Sequence, residues 1–168
     1  MDYSFIIRRA VLSDAPDVFN IIQKAFKEYA KAADLQNIEA LKETVEEIEN
    51  EIKNKVIFIA VIDQKIVGTV RVDINGSEAY ISRFAVNYEN RNAGIGKSLI
   101  SLVDKYLIEK NVRSASLHTA SRYGSLMRFY YGRGFYVESV SHDRGYPRAR
   151  MVKEYILGTR NQGIGARA

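Results

Sequence analysis

Residues 80–102 constrain the fold more than any other stretch of this chain. They begin with an apolar segment at 81–86, continue through a polar loop at 87–92, and reach two glycines, Gly94 and Gly96. The isoleucine, phenylalanine and valine of the first segment favour a strand. Beyond the glycines, apolar residues recur at helical spacing: Ile95, Leu99, Leu102, Val103, Tyr106 and Leu107. The pattern therefore predicts a strand, a glycine-rich turn and a helix in close succession.

A glycine-rich turn before a helix N-terminus is a typical phosphate-binding arrangement. The first amides of a helix lack partners within it and carry partial positive charge, and glycine lets a backbone approach an anion closely. The dinucleotide fingerprint fails because Leu99 stands at its third glycine, and the P-loop fails because Arg91 stands at its first. The residues do fit R-x-x-G-x-G over 91–96. A glycine-rich turn without a ligand is the alternative interpretation.

The composition limits the chemistry that the chain can perform. It has no cysteine, which excludes disulfides, thiolate metal sites and a cysteine nucleophile, and this suits a reducing cytoplasm. The chain has only two histidines, His118 and His142, which offer too few ligands for a histidine-rich metal site and little basis for a serine triad. We therefore expect no metal. No apolar run approaches the length of a membrane span, and the N-terminus lacks the pattern of a signal peptide. We therefore expect a cytoplasmic protein that does not bind membranes.

The length of 168 residues suits a single domain, which we place at 1–157. Residues 158–168 have no packing signal and are predicted to be a flexible tail. The tail repeats R-x-x-G-x-G at 160–165, but no helix can follow it, so we assign it no function.

The net charge of +5 is unevenly distributed. Residues 34–54 are strongly acidic, and residues 113–153 are strongly basic. We interpret the acidic run as the solvated face of a helix spanning residues 37–53. A basic half favours a polyanion such as CoA or a nucleic acid, although a solvated basic surface explains many of these arginines equally well.

Periodicity and turn residues predict the remaining elements. A strand at 3–11 precedes a helix that starts at Ala15-Pro16, with Ser13 or Asp14 as its cap. The helix at 37–53 follows. Further strands are predicted at 56–62, 65–73, 78–86, 114–119, 135–142 and 148–156, and further helices at 94–110 and 125–132. The predicted order is βααβββαβαββ.

Several stretches of the chain resemble the GNAT superfamily of N-acetyltransferases. The acetyl-CoA pyrophosphate loop of that family is (Q/R)-x-x-G-x-(G/A), which residues 91–96 match. Residues 129–135, FYYGRGF, match the family pattern F-Y-x-x-x-G-F, and an L-x-T strand precedes them at 117–119. The resemblance extends to M-x-K at 151–153 and to the order of the elements. It implies an α/β (α+β) fold with a mixed, mostly antiparallel central sheet, splayed fourth and fifth strands, and flanking helices.

The resemblance also implies how acetyl-CoA is bound and which group protonates the leaving thiolate. The pantetheine arm would pair with the backbone of Phe84, Ala85 and Val86 as an added strand does. The family often has an asparagine where this chain has Tyr123, which we assign to the cofactor site. Tyr130 would be the general acid. The pyrophosphate would lie on the backbone of Arg91, Asn92, Ala93, Gly94, Ile95, Gly96, Lys97 and Ser98.

The general base is harder to assign. The family frequently has a glutamate on the fourth strand where this chain has Tyr80. By strand parity, Glu78, Tyr80 and Ser82 share one side, and Glu78 acting through a water is the leading candidate. Tyr80 and Ser82 are then candidates for contacting the acceptor. His118 has the opposite parity to Leu117 and Thr119, so we interpret it as a packed or surface histidine.

The charged loop at 142–148 borders the acceptor site in the family. Asp143 and Tyr146 are therefore candidate substrate contacts, with a plain turn as the alternative. We expect an acetyl-CoA-dependent N-acetyltransferase that acts on a primary amine of a small molecule or peptide. A CoA-binding regulatory module without turnover is the alternative, and the missing glutamate supports it. Nucleic acid is not an expected partner because no recognition signature is present, and a homodimer is compatible with the sequence.

Overall fold

The computed structural model describes residues 4–156. Within that range, the elements follow the order predicted from the sequence. The strands are Ile6–Arg9 (β1), Val56–Ile62 (β2), Lys65–Asn75 (β3), Glu78–Val86 (β4), Ser114–Ala120 (β5), Tyr136–Ser141 (β6) and Arg148–Glu154 (β7). The helices are Ala15–Ala32 (α1), Val45–Asn54 (α2), Ile95–Glu109 (α3) and Gly124–Gly132 (α4). The predicted tail at 158–168, with its second R-x-x-G-x-G stretch, lies outside the described residues.

In the described part of the chain, the strands form one seven-stranded sheet in the order β1-β2-β3-β4-β5-β7-β6. All neighbouring strands are antiparallel except β4 and β5, which run parallel. The ladder between these two joins only residues 78–80 to residues 114–116. Past that point the two strands diverge, although β4 continues to Val86 and β5 to Ala120. The predicted mixed sheet with splayed fourth and fifth strands is confirmed.

Helices cover the two faces of this sheet, and each buries the apolar stripe that its sequence predicts. On one face, Leu99, Ile100 and Val103 of α3 are fully buried against the sheet. On the other face, Val18 and Ile22 of α1 fill a second core together with α2. The gap between β4 and β5 therefore lies at the centre of the fold, beside the N-terminus of α3.

Two predicted boundaries near the N-terminus need correction. The first strand covers Ile6–Arg9 rather than residues 3–11. Asp14 precedes α1 as predicted, but its side chain does not cap that helix. Its carboxylate instead accepts a hydrogen bond of 2.7 Å from the amide of Val11 and one of 2.8 Å from the guanidinium of Arg8. Asp14 therefore fixes the strand-to-helix corner rather than the first turn of α1.

The predicted helix at 37–53 is wrong in its first half. A short 3-10 turn, Glu39–Lys42, stands there, and α2 begins only at Val45. Thr44 and Glu47 cap α2 reciprocally: the threonine hydroxyl accepts from the amide of Glu47, and the glutamate carboxylate accepts from the amide of Thr44. This capping box starts the helix at the position where two free amides find partners, which apolar periodicity alone does not reveal.

The acidic run is not entirely solvated either. The carboxylate of Glu43 is 2.7 Å from the guanidinium of Arg71 on β3, whose side chain is only 3% exposed, and 3.3 Å from Arg83 on β4. Burial raises the pKa of the Glu43 carboxyl, but the hydrogen bond and charge of Arg71, with those of Arg83, outweigh it and leave the pKa lowered. These ion pairs attach the turn at 39–42 to the sheet. No described helix is long and apolar enough to cross a membrane.

Candidate active site

A cavity of about 320 Å³ occupies the gap between β4 and β5. Since the ladder between these strands ends at Tyr80 and Ser116, the backbone of β4 beyond that point has no strand on this side. The cavity runs from the N-terminus of α3 to the loop between β6 and β7. We call the part near α3 the donor end and the part lined by Tyr80, His118, Arg144, Tyr146 and Arg148 the acceptor end.

The donor end presents free backbone amides. Gly94 immediately precedes α3 with a φ of +79°, a left-handed conformation that non-glycine residues adopt only with strain. A Cβ built on Gly94 would have no neighbour within 4 Å, so this residue faces open space. No side chain caps α3, and its first amides therefore remain available to an anion. The glycine turn has the geometry and the charge that a pyrophosphate requires.

Gly96 is required for a different reason. Its built Cβ would lie 3.1 Å from the ring of Phe84 and 3.6 Å from the ring of Phe129. Those two rings stack with their centroids 5.5 Å apart. The absence of a side chain at Gly96 therefore lets the first turn of α3 approach β4 and the aromatic pair, rather than clearing a path for a ligand.

Tyr130 lines the cavity beside Phe84 of the donor end. The residue is 4% exposed and packs against the rings of Phe84, Phe129 and Phe135, with centroid distances of 6.1, 5.5 and 5.8 Å. Burial, with smaller effects from Tyr29 and Tyr80, raises the pKa of its phenol far above the usual value. Its hydroxyl forms no hydrogen bond with any described residue. Tyr130 is consequently a protonated phenol with an unused donor that lines the cavity.

At the acceptor end, Tyr80 and His118 form a hydrogen-bonded pair. The hydroxyl of Tyr80 lies 2.7 Å from Nδ1 of His118. The interpretation of His118 as a packed or surface residue is therefore wrong, because His118 lines the cavity. The side chain of His118 does lie on the opposite face of β5 from Leu117, as predicted. The acceptor end is on that face, which is the α1 face of the sheet, and the side chain of Tyr80 lies there too. The parallel register of β4 and β5, which pairs Tyr80 with Ser116, brings these side chains together.

Arginines surround this pair. Burial lowers the pKa of His118, and the charges of Arg148, Arg150 and Arg144 lower it further, while Asp143 opposes them. Burial raises the pKa of Tyr80, and nearby arginines counteract that effect. At neutral pH the pair is therefore a neutral imidazole and a neutral phenol. A neutral imidazole beside a cavity is able to accept a proton.

Most of the predicted site residues converge on this cavity, whereas others lie apart. Glu78 is at the start of β4, where that strand is still paired with β5, and is not among the lining residues. Asp143 is 66% exposed and receives a hydrogen bond from the hydroxyl of Ser141. The side chains of Lys97 and Ser98 line a separate shallow groove near β1. The predicted residues that line the cavity are Tyr80, Ser82, Phe84, Ala85, Val86, Arg91, Gly96, Tyr123, Tyr130 and Tyr146.

Besides His118, further cavity residues were not predicted from the sequence, among them Tyr29, Arg144 and Arg148. Tyr29 of α1 stacks on Tyr123 at 5.4 Å and accepts a hydrogen bond of 2.7 Å from the amide of Ala120. Arg144 and Arg148 come from the β6–β7 loop and the start of β7. No local pattern marks these residues, because their roles depend on how α1 and the β6–β7 hairpin pack around the end of β5. The one available signal was the basic character of residues 113–153.

A splayed mixed sheet with a glycine turn at the head of α3 and a tyrosine between the two ends defines an acyl-CoA-dependent transferase fold. The model of the acetyltransferase (GNAT) family matches residues 16–135, most of the chain. The chain therefore belongs to the GNAT acetyltransferase family. Membership supports acetyl transfer from a CoA thioester to an acceptor as the class of activity.

Solved structures agree with this fold. The chain is similar to the PaiA N-acetyltransferase from Thermoplasma acidophilum in complex with coenzyme A, with a TM-score of 0.80, 22% identity, and coverage of 90% of this chain and 99% of that one. It is also similar to a GNAT-family acetyltransferase from Staphylococcus aureus Mu50, with a TM-score of 0.75, 18% identity, and coverage of 90% and 99%.

A third similar structure is the ribosomal-protein-S18-alanine N-acetyltransferase from Escherichia coli, with a TM-score of 0.76, 15% identity, and coverage of 94% and 98%. At these identities the likeness concerns the fold alone. No curated protein sequence matches the chain. Among residues 4–156, no group of three or more acidic or histidine side chains is arranged to hold a metal ion.

Proposed function

We propose that this protein transfers an acetyl group from acetyl-CoA directly to the primary amine of a small molecule or peptide. The observation that carries the proposal is the continuity of the cavity. Gly96 at the head of α3, Tyr130 and the Tyr80–His118 pair all line this one cavity. A thioester bound at the donor end and an amine bound at the acceptor end would therefore meet beside Tyr130.

The donor end holds the CoA moiety through backbone groups. Its pyrophosphate is received by the amides of residues 91–98, with Gly94 supplying the left-handed turn. The pantetheine arm takes the place of a strand along Phe84–Val86, where β4 lacks a partner. Arg91 donates a hydrogen bond to the carbonyl of Val86, which fixes the guanidinium beside this edge. Tyr123, whose ring stacks on that of Tyr29, lines the same cavity.

Tyr130 acts as the general acid. The acceptor nitrogen forms a bond to the acetyl carbon, the carbon–sulfur bond breaks, and the sulfur keeps the electron pair. The Tyr130 hydroxyl donates its proton to that sulfur, and the resulting phenolate recovers a proton from solvent. Because burial keeps the pKa of Tyr130 high, the proton is present at any pH where the amine can react.

The acceptor amine loses its proton to the Tyr80–His118 pair rather than to Glu78. Glu78 lies outside the cavity, whereas the Tyr80 hydroxyl faces it and contacts Nδ1 of His118. The amine proton passes to the oxygen of Tyr80 as that hydroxyl gives its own proton to Nδ1. The lowered pKa of His118 leaves the imidazole neutral and ready to accept. With no cysteine in the chain, direct attack is favoured over a covalent acetyl-enzyme.

A CoA-binding module without turnover is the second candidate. The observation that favours it is the lack of a carboxylate base on β4 that reaches the cavity, since Tyr80 stands in that position and Glu78 lies outside. Such a module would retain the donor end and use the acceptor end for a regulatory ligand.

A thiol-release assay distinguishes the two functions. Purified protein is incubated with acetyl-CoA and a panel of primary amines, and free CoA is measured, while calorimetry measures CoA binding. Release with at least one amine, together with its acetylated product by mass spectrometry, supports the enzyme. Tight CoA binding with no release across the panel supports the module, and absence of CoA binding contradicts both.

A further inference from the structure

The charged side chains that line the acceptor end are predominantly positive. Arg144 and Arg148 face the cavity there, beside the neutral imidazole of His118. Arg83 also lines it, but its charge is offset by the buried Glu43. Glu39 is the acidic member of the lining in the described chain, and Lys42 pairs with it at 3.6 Å. A cationic wall without matching acids indicates a ligand that brings its own negative charge.

Arg148 combines a low exposure with a weak ion pair. Its side chain is only 11% exposed, yet its ion partner among residues 4–156 is Asp143, at 3.7 Å and itself 66% exposed. A buried guanidinium is costly unless it is paired and hydrogen-bonded. Arg71 shows the contrast: its side chain is 3% exposed, and although its Nε has no partner, two carboxylates lie within 3.2 Å of its guanidinium. Arg148 lines the cavity, and its guanidinium donates no hydrogen bond to any residue in the described range.

The neighbouring acids point away from the cavity. Asp143 accepts a hydrogen bond from the Ser141 hydroxyl, and Glu138 forms an ion pair with Arg150 on the outer part of the sheet. Neither acid is a lining residue. Arg144 forms no ion pair within the described range. The arginines thus face inward and the acids face outward.

The backbone around Arg148 is held in place. The carbonyl of Pro147 accepts hydrogen bonds from both the amide and the hydroxyl of Ser121, at 3.0 and 3.3 Å. This contact attaches the β6–β7 loop to the end of β5. A guanidinium that is pre-positioned in this way binds a carboxylate with little loss of conformational entropy.

From these observations we infer that the acceptor is a free amino acid, whose carboxylate Arg148 and Arg144 bind while its amine contacts Tyr80. The inference rests on the proposed function and names the substrate class of the same site. Arg148 is in register with Ala120, two residues along β5 from His118, which corresponds to about 7 Å along the strand. That separation, shortened by the long arginine side chain, suits a carboxylate only a few bonds from the amine.

The test compares amines that differ only in charge at one position. Leucine, leucinamide and isoamylamine form one set, and tyrosine, tyrosinamide and tyramine form another. Values of kcat/KM are expressed per unprotonated amine, because the carboxylate alters the pKa of the neighbouring amine. Within at least one set, the acid is expected to exceed its amide by tenfold or more.

Variants then locate the origin of that preference. Arg148→Gln should lower the ratio of kcat/KM for the acid to kcat/KM for the amide by about 10-fold to 100-fold, the range for a hydrogen-bonded charge pair. The ratio is the readout because the charge of Arg148 also acts on His118, equally for both substrates. Arg144→Gln, in an exposed loop, should give a smaller loss and fold normally. Arg150→Gln is the matched control for the preference of acid over amide, since it removes the same charge from the same strand but its guanidinium pairs with Glu138 outside the cavity. Its charge also acts on His118, but that effect is the same for the acid and the amide, so their ratio should not change.

Direct binding separates a failure of this inference from a failure of the proposed function. The same acids and amides are titrated into the protein–CoA complex by calorimetry. Acids that bind in an Arg148-dependent way without being acetylated would support the carboxylate site and contradict the enzyme. Acetylation of amines with no preference for acids, or an equal loss in Arg150→Gln and Arg148→Gln, would overturn the inference while leaving the enzyme in place.

Discussion

The two ends of the cavity are built from different groups and from different parts of the chain. The donor end uses backbone amides and the free edge of β4, all contained within residues 84–98. The acceptor end uses side chains that come from separate elements, with Tyr80 on β4, His118 on β5 and Arg148 on β7. Tyr130, on α4, stands between the two ends.

This difference determines how each end responds to substitution. Backbone recognition depends on local conformation, so changes at the donor end should alter the affinity for acetyl-CoA. Side-chain chemistry depends on charge and proton position, so changes at the acceptor end should alter turnover and its pH dependence. The experiments below test this division, and they are ordered from the largest expected effect to the smallest.

Tyr130→Phe tests the group between the two ends. Loss of the phenolic proton donor should lower kcat by about 100-fold, the low end for a general acid because a thiolate is already a good leaving group. The dissociation constant of acetyl-CoA should hardly change, because the ring and its aromatic contacts remain. Tyr131→Phe is the control, since Tyr131 is 50% exposed and does not line the cavity. Wild-type turnover in Tyr130→Phe would exclude the assignment.

His118→Gln tests the acceptor end. At neutral pH, kcat/KM should fall by about 30-fold, and the loss should shrink at high pH, where the amine deprotonates without help. His142→Gln, which changes the other histidine, should behave as wild type. The acetyl-CoA dissociation constant should stay the same in both variants.

The pH profile gives the same experiment a second readout. Below the lowered pKa of His118, both the base and the amine are protonated, so log kcat/KM should rise with a slope of two; above that pKa only the amine titrates and the slope should be one. In His118→Gln the slope should be one throughout. The arginines facing His118 do not titrate in this range, and the pKa of Asp143 is itself lowered, first by the Ser141 hydroxyl. A slope of two in the variant would assign the base elsewhere.

Gly94→Ala tests the donor end. A Cβ at a φ of +79° is strained by about 1–2 kcal/mol, and relief of that strain rotates the amides away from the anion. We expect acetyl-CoA to bind about tenfold more weakly. Gly76→Ala is the matched control because Gly76 has a φ of +66° and an equally open surrounding in the β3–β4 turn. Similar losses of thermal stability, with weaker CoA binding in Gly94→Ala alone, would support the amide site.

The two glycines of the turn should also differ from each other. Gly96→Ala places its Cβ against Phe84, so its main effect should be lower thermal stability or a displaced α3, and only secondarily weaker binding. If Gly96→Ala weakened CoA binding with no loss of stability, the role of Gly96 as a packing residue would be wrong.

Salt provides the smallest expected effect. Raising NaCl from 50 mM to about 0.5 M should weaken acetyl-CoA binding by a few-fold, because screening reduces the attraction of the basic half for phosphates. The shift should be smaller for dephospho-CoA, which lacks the 3′-phosphate. Equal shifts for the two ligands would show that Arg122, Arg128 and Arg133 do not contact that phosphate.

The sequence alone determined most of the fold and the donor end. The bounds of β2 and β4 were predicted as the structure has them, and α3 within one residue at each end. These features depend on apolar periodicity and on a contiguous motif, and both are local properties of the chain. The predicted start of α2 is wrong because the apolar stripe extends upstream of Thr44, whereas the Thr44–Glu47 capping box begins the helix at Val45.

Only the tertiary structure shows which side chains meet at the acceptor end. Tyr80 and His118 are 38 residues apart and meet because β4 and β5 pair in one register; a slip of one residue would turn His118 to the opposite face. That register joins strands far apart in the chain, and no local pattern in either strand specifies it. The pairing of Glu43 with Arg71 and the burial of Arg148 arise in the same way. Backbone recognition can thus be read along the chain, whereas convergent side chains require the fold.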